Sequence, residues 1–99
     1  MFNVIYRWKI RPGKEAQFEA AWAEITRFIR QERGGLGSRL HRSEDGTYLA
    51  YAEWPDEATW ARSSASPLPA MPAVVAFREA IESSEKPLPL TQLQDLLAR

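Results

Sequence analysis

Apolar and polar side chains alternate from the start of the chain, with Phe2, Val4, Tyr6, Trp8 and Ile10 on one side and Asn3, Ile5, Arg7 and Lys9 on the other. A period of two built from aromatic and β-branched residues predicts a strand over residues 2–10. Arg11-Pro12-Gly13-Lys14 breaks it, as a Pro-Gly pair does. The period then lengthens. Between residues 14 and 33, Phe18, Trp22, Ile25 and Ile29 follow at intervals of four, three and four, with Ala21 and Phe28 beside them. That spacing puts them on one helical face. Glu15 and Glu19 stand in the first turns and Arg27, Arg30 and Arg33 in the last, an order that suits the helix dipole, and Gly34-Gly35 supplies a stop.

Residues 36–42 and 47–54 read as two more strands, joined through Ser43-Glu44-Asp45-Gly46, a hairpin signal. Pro55-Asp56-Glu57 ends the third strand and opens a short helix with Asp56 as N-cap. That helix carries Trp60 and runs out in Ser63-Ser64-Ala65-Ser66. Pro67, Pro69 and Pro72 follow, and Pro72 suits the first turn of another helix, expected to reach about Ser83 with Val74, Phe77 and Ile81 inward. Leu88, Leu90, Leu93, Leu96 and Leu97 suggest a last strand, which Pro87 and Pro89 confine, at least at its beginning, to a sheet edge. The order βαββαβ predicts an α+β fold, the ferredoxin-like sandwich: an antiparallel four-stranded sheet with both helical regions on one face.

A length of 99 residues fits one domain, residues 1–99. Lys+Arg and Asp+Glu both total 13, so no surplus of positive charge points to nucleic acid or an anionic membrane. The absence of cysteine removes thiolate, disulfide, iron–sulfur and cysteine–zinc chemistry, and a single histidine, His41, removes any one-chain site needing two imidazoles. No apolar run is long enough for a signal segment or a membrane span, so the expected location is cytoplasmic.

The even-numbered side of the first strand is wholly apolar and is expected under the helices. The other side of the sheet collects Ile5, Arg7 and Lys9, then Arg39 and His41, then Leu49, Tyr51 and Glu53. Left bare, it would expose a contiguous apolar patch, and such patches have partners. A homodimer packed through this sheet face is the economical expectation.

Three stretches carry a family resemblance: Tyr6-Arg7-Trp8-Lys9-Ile10-Arg11-Pro12-Gly13-Lys14, Gly34-Gly35-Leu36-Gly37-Ser38, and Ala52-Glu53-Trp54-Pro55 followed by Trp60. Together they resemble the antibiotic biosynthesis monooxygenase (ABM) domain family over most of residues 2–62, and more loosely in the final strand. The resemblance implies a dimeric α/β barrel, in which two ferredoxin-like sheets pack face to face, with a cavity between sheet and helices. It also implies oxidation of anthrones or quinols without metal or flavin. The haem-degrading branch is not carried over, because Asn3 falls early on the first strand and no histidine follows His41.

Cofactor-free oxygenation asks little of a protein. The substrate, a small aromatic, polycyclic or quinol-type molecule, must become an electron-rich anion within a dry cavity that supplies a base or hydrogen-bond donors. Tyr6, Trp8, Trp22, Trp54 and Trp60, with Tyr48, are candidates to line such a cavity, although a small domain also fills its core with large aromatics. His41 can take a proton, Arg39 can steady an oxyanion, and Tyr51 shares their side of the sheet. The same residues also suit the sheet interface of a dimer. Ser38 lies three positions from His41 and faces the other way, which argues against a hydrolase. A non-catalytic dimeric ligand-binding or structural module, and a cofactor-free isomerase or lyase, stay open beside the oxygenase. The proline-broken segment through Met71 is either a lid or a connector.

Overall fold

The first strand lies inside the sheet because both of its edges are used. In the computed structural model, which describes residues 1–98, β1 (Phe2–Ile10) pairs antiparallel with β3 (Tyr48–Trp54), from Phe2↔Trp54 to Trp8↔Tyr48. β3 in turn pairs with β2 (Gly37–Arg42), from Gly37↔Glu53 to Arg42↔Tyr48. The opposite edge of β1 takes two short strands in succession: β4 (Ile81–Ser84) against residues 8–10 and β5 (Leu88–Thr91) against residues 2–5. The spatial order is therefore β2-β3-β1-β4, with β5 continuing the lane of β4. Five strands fill four lanes, which is the ferredoxin-like arrangement.

Between α1 (Glu15–Glu32), α2 (Glu57–Ala65) and α3 (Pro72–Ala80) the helices cover the even-numbered face. Phe18 is fully buried on α1 and packs its ring against Trp8 at 5.2 Å, Tyr48 at 5.3 Å and Phe77 at 5.1 Å. Ala21 and Ile25 of α1 meet Ala73 and Val74 of α3, small and branched residues that let the two helices approach. The end of α1 is sharp. Arg33 N–H and Gly35 N–H both donate to Ile29 O, and Gly34 takes φ +78°, a left-handed turn that glycine enters without steric cost. Asp56 caps α2 as expected, accepting from Thr59 N–H at 2.7 Å.

Two expectations at the C-terminal end need correction. The third helix stops at Ala80 rather than near Ser83, and Ile81–Ser84 is a strand. Ile81 still packs toward the core, but as a sheet residue. The unfilled upper edge of β1 explains the change, because pairing there satisfies backbone groups that another helical turn would leave bare. The expected strand through Leu97 ends at Thr91. Thr91 is paired with Phe2 and Gln92 N–H reaches Met1 O, so β1 has no further residue to offer. Leu93, Leu96 and Leu97 are exposed beyond it. The other boundaries fall within about a residue of expectation.

The odd-numbered face is uncovered. Ile5, Leu49, Tyr51 and Glu53 are half-buried there, while Arg7, Lys9, Arg39 and His41 are exposed. Leu88 and Leu90 extend the same face beside Ile5 and Asn3. Among the described residues no helix is long and apolar enough to cross a membrane.

Candidate active site

A cavity of about 320 Å³ opens between the sheet and the helical layer. Its floor is the even face of the sheet, with Tyr6 and Trp8 from β1 and Ala50, Ala52 and Trp54 from β3. The space exists because β3 places the small side chains Ala50 and Ala52 opposite Tyr6 and Val4. Trp22, Ile25 and Ile29 from α1 and Phe77 from α3 form the roof, and Ser63, Ser64, Ser66 and Leu68 close one side. Gly35 completes the wall. A β-carbon there would crowd Ile29 at 3.0 Å and stand in ordinary contact with the Trp54 ring at 3.5 Å.

Polar side chains are a minority of this chamber's lining. The Tyr6 ring stacks on Trp8 at 5.9 Å, nearly parallel. Its hydroxyl accepts a hydrogen bond from Trp60 Nε1 at 3.1 Å. The hydroxyl's own proton has no acceptor among the described residues. Burial raises the Tyr6 pKa above the ordinary tyrosine value, against the lowering effect of the Trp60 bond. Tyr6 is therefore a standing donor near neutrality. The buried indole N–H of Trp54 also lacks a partner. A buried unsatisfied donor costs about 1–3 kcal/mol. Glu53 is the only carboxylate among the described wall residues and Arg33 the only cation.

Arg33 holds the side wall in place. Its guanidinium donates to Ser63 O at 3.1 Å, Ser66 O at 2.9 Å and Pro67 O at 2.7 Å, and lies over the Phe28 ring. The proline-broken segment is thus tied to the end of α1 where it borders the cavity.

Of the expected lining residues, Tyr6, Trp8, Trp22 and Trp54 reach the cavity. Trp60 stands behind it, in contact with Phe2 at 5.6 Å and bonded to Tyr6. Tyr48 packs on Phe18 instead and donates to Glu19 Oε2 at 2.8 Å. The three catalytic candidates divide. Arg39 and Tyr51 face each other across the β2–β3 ladder and line a second concavity around the sheet edge, which has Thr26, Gly37, Ser38 and Glu53 in common with the first. His41 lies opposite Leu49 on the uncovered face, exposed, and lines neither space. Ser38 donates to Tyr51 O rather than to His41.

Comparison with known proteins agrees with this architecture. The sequence profile of the family described as antibiotic biosynthesis monooxygenase matches residues 1–83. Among solved structures, SnoaB, a cofactor-independent oxygenase from Streptomyces nogalater, is 26% identical with a TM-score of 0.76, over 96% of this chain and 95% of that one. Rv0793 from Mycobacterium tuberculosis shares the fold at 19% identity and a TM-score of 0.71, over 97% and 98% of the two chains. No curated protein sequence matches.

Proposed function

Because this chain belongs to the antibiotic biosynthesis monooxygenase family, we propose that it is a cofactor-independent monooxygenase whose substrate is an aromatic, polycyclic or quinol-type molecule bound between sheet and helices. The observation that carries the reading is the aromatic-walled cavity bordered by Tyr6, whose O–H has no acceptor among the described residues. Its likeness to SnoaB supports the same class of chemistry.

For an anthrone, the reaction begins with loss of a ring C–H proton to Glu53 at the cavity wall. The electrons left behind spread onto the ring oxygen as a phenolate. Tyr6 donates to that oxygen, and Trp60 holds the tyrosine so that its proton faces the substrate. Preorganised donors of this kind favour the charged form in a site that excludes water. The anion then reduces dioxygen. One oxygen atom enters the ring carbon as a new carbonyl, and the other leaves as water with the two hydrogens that carbon has lost. His41 has no part in these steps.

The reading also takes the uncovered sheet face as the contact between two copies. Ile5, Leu49, Tyr51, Leu88 and Leu90 supply an apolar strip there, and Asn3 Oδ1 is buried without a hydrogen bond.

Oxygen uptake by chelator-treated protein over a panel of anthrones and quinols tests the proposal, with isotopically labelled dioxygen to follow the atom transferred. Uptake with one labelled oxygen in the product is expected. Binding of these ligands without any uptake would make the protein a ligand-binding module.

A further inference from the structure

The second concavity, of about 320 Å³, wraps the β2 edge of the sheet and shares walls with the aromatic cavity. Its character is different. Arg27 and Arg30 stand one helical turn apart near the end of α1, and Arg39 reaches the same space from β2. Gly37 lies between them with φ +112° and no side chain, which leaves the passage around the edge strand open. None of the three guanidiniums has a hydrogen bond or ion pair among the described residues. One carboxylate, Glu53, lines the space with them. Three like charges around one hollow repel each other unless an anion joins them, and a concave site with one dominant sign concentrates ions of the opposite sign.

We propose that this arginine-lined concavity is a subsite for a carboxylate carried on the substrate, so that the protein selects aromatic acids over their neutral analogues. The proposal rests on the cavity reading above and adds the substrate's charge to it. The ring system occupies the aromatic chamber, and the acid extends past Ser38, which borders both spaces. A planar guanidinium grips a carboxylate through two parallel N–H bonds, which gives orientation as well as attraction. Glu53 beside the arginines disfavours a doubly charged group and suits a single negative charge.

The test is tryptophan-fluorescence quenching of the full-length protein by anthraquinone carboxylate and, separately, by the matching carboxamide. The two probes share shape and differ in charge. Wild type is expected to bind the acid about tenfold more tightly than the amide, with the preference shrinking as salt is raised. In the double variant Arg30→Gln, Arg39→Gln the two probes should bind within about twofold of each other. Both substitutions are at exposed positions, and circular dichroism establishes that the variant folds. Equal binding of the two probes by wild type would overturn the carboxylate subsite while leaving the aromatic cavity intact. A preference that survives in the double variant would overturn the arginines' part in it. Binding of neither probe would overturn the cavity reading, and this proposal with it.

Discussion

Trp60 donates its indole N–H to the Tyr6 hydroxyl at 3.1 Å, joining α2 to the central strand behind the cavity wall. The bond decides what the hydroxyl can do. Its lone pair is engaged from behind, so its proton is the part left for a ligand, and burial keeps that proton on. Tyr6→Phe removes the donor and keeps the ring. It should lower the rate of substrate oxidation by roughly 10–100-fold, mainly in kcat, as loss of an oxyanion donor does. Trp60→Phe leaves Tyr6 in place but free to turn, so a smaller fall is expected. Steady-state oxygen uptake by the two variants checks the order.

Arg33 makes three charge-assisted bonds to backbone carbonyls at the end of α2 and just after it. Arg33→Ala should loosen the wall formed by Ser63, Ser66 and Leu68. Its expected effects are a KM several-fold higher, a smaller change in kcat, and faster amide hydrogen exchange over residues 63–68. Lysine should not restore the wall, because one ammonium cannot replace the planar fork.

Leu49 lies at the middle of the uncovered face, between Arg7 on β1 and His41 on β2. A positive charge there would be buried beside Arg7 with no opposite charge between two copies packed through this face. Leu49→Arg should therefore give a monomer by sedimentation equilibrium, where wild type is expected to be a dimer. A wild-type monomer, or a variant that still dimerises, would remove the sheet-face interface.

Two carboxylates make stability depend on acid. Asp45 accepts from the Ser43 hydroxyl and from Thr47 N–H, which brings its pKa down to about 2. Asp56 is held below the usual carboxylate value first by the Thr59 hydroxyl and then by the Thr59 N–H. Groups with depressed folded pKa values stabilise the fold above their unfolded value, near 4, and lose that contribution as pH falls toward 2. Asp56→Asn, Asp45→Asn should melt a few degrees below wild type at pH 6, and the gap should close as pH approaches 2. Thermal unfolding at a series of pH values checks the sign.

Much of this was legible in the chain because strand and helix periods are local. The alternation over β1, the interval pattern over α1 and the Asp56 cap each depend on neighbouring residues, and each element formed where its pattern lay. The tail depended on something distant. Whether Ile81 continued a helix or joined a strand was settled by a vacant edge on β1 about 70 residues away. Leu93, Leu96 and Leu97 supply apolar side chains but not a period of two, and among the described residues they have no partner strand. The site divided in the same way. Tyr6, Trp8 and Trp54 could be placed under the helices by parity alone. His41 followed the same rule onto the opposite face, since its parity matches Arg39 and Tyr51. Parity put Glu53 on the open side with Tyr51, and Gly35 read only as part of a helix stop. They border the cavity only because β3 and the end of α1 meet there, and the alanines at positions 50 and 52 leave the room.

The central claim is that the chemistry is done in the aromatic cavity, with Tyr6 as its donor, and not by His41 on the open face of the sheet. Oxygen uptake by wild type, Tyr6→Phe and His41→Ala, measured side by side on the best anthrone or quinol, tests it most directly. The account predicts a fall of at least about tenfold for Tyr6→Phe and a rate within about twofold of wild type for His41→Ala. A loss of activity in His41→Ala with Tyr6→Phe unaffected would contradict it.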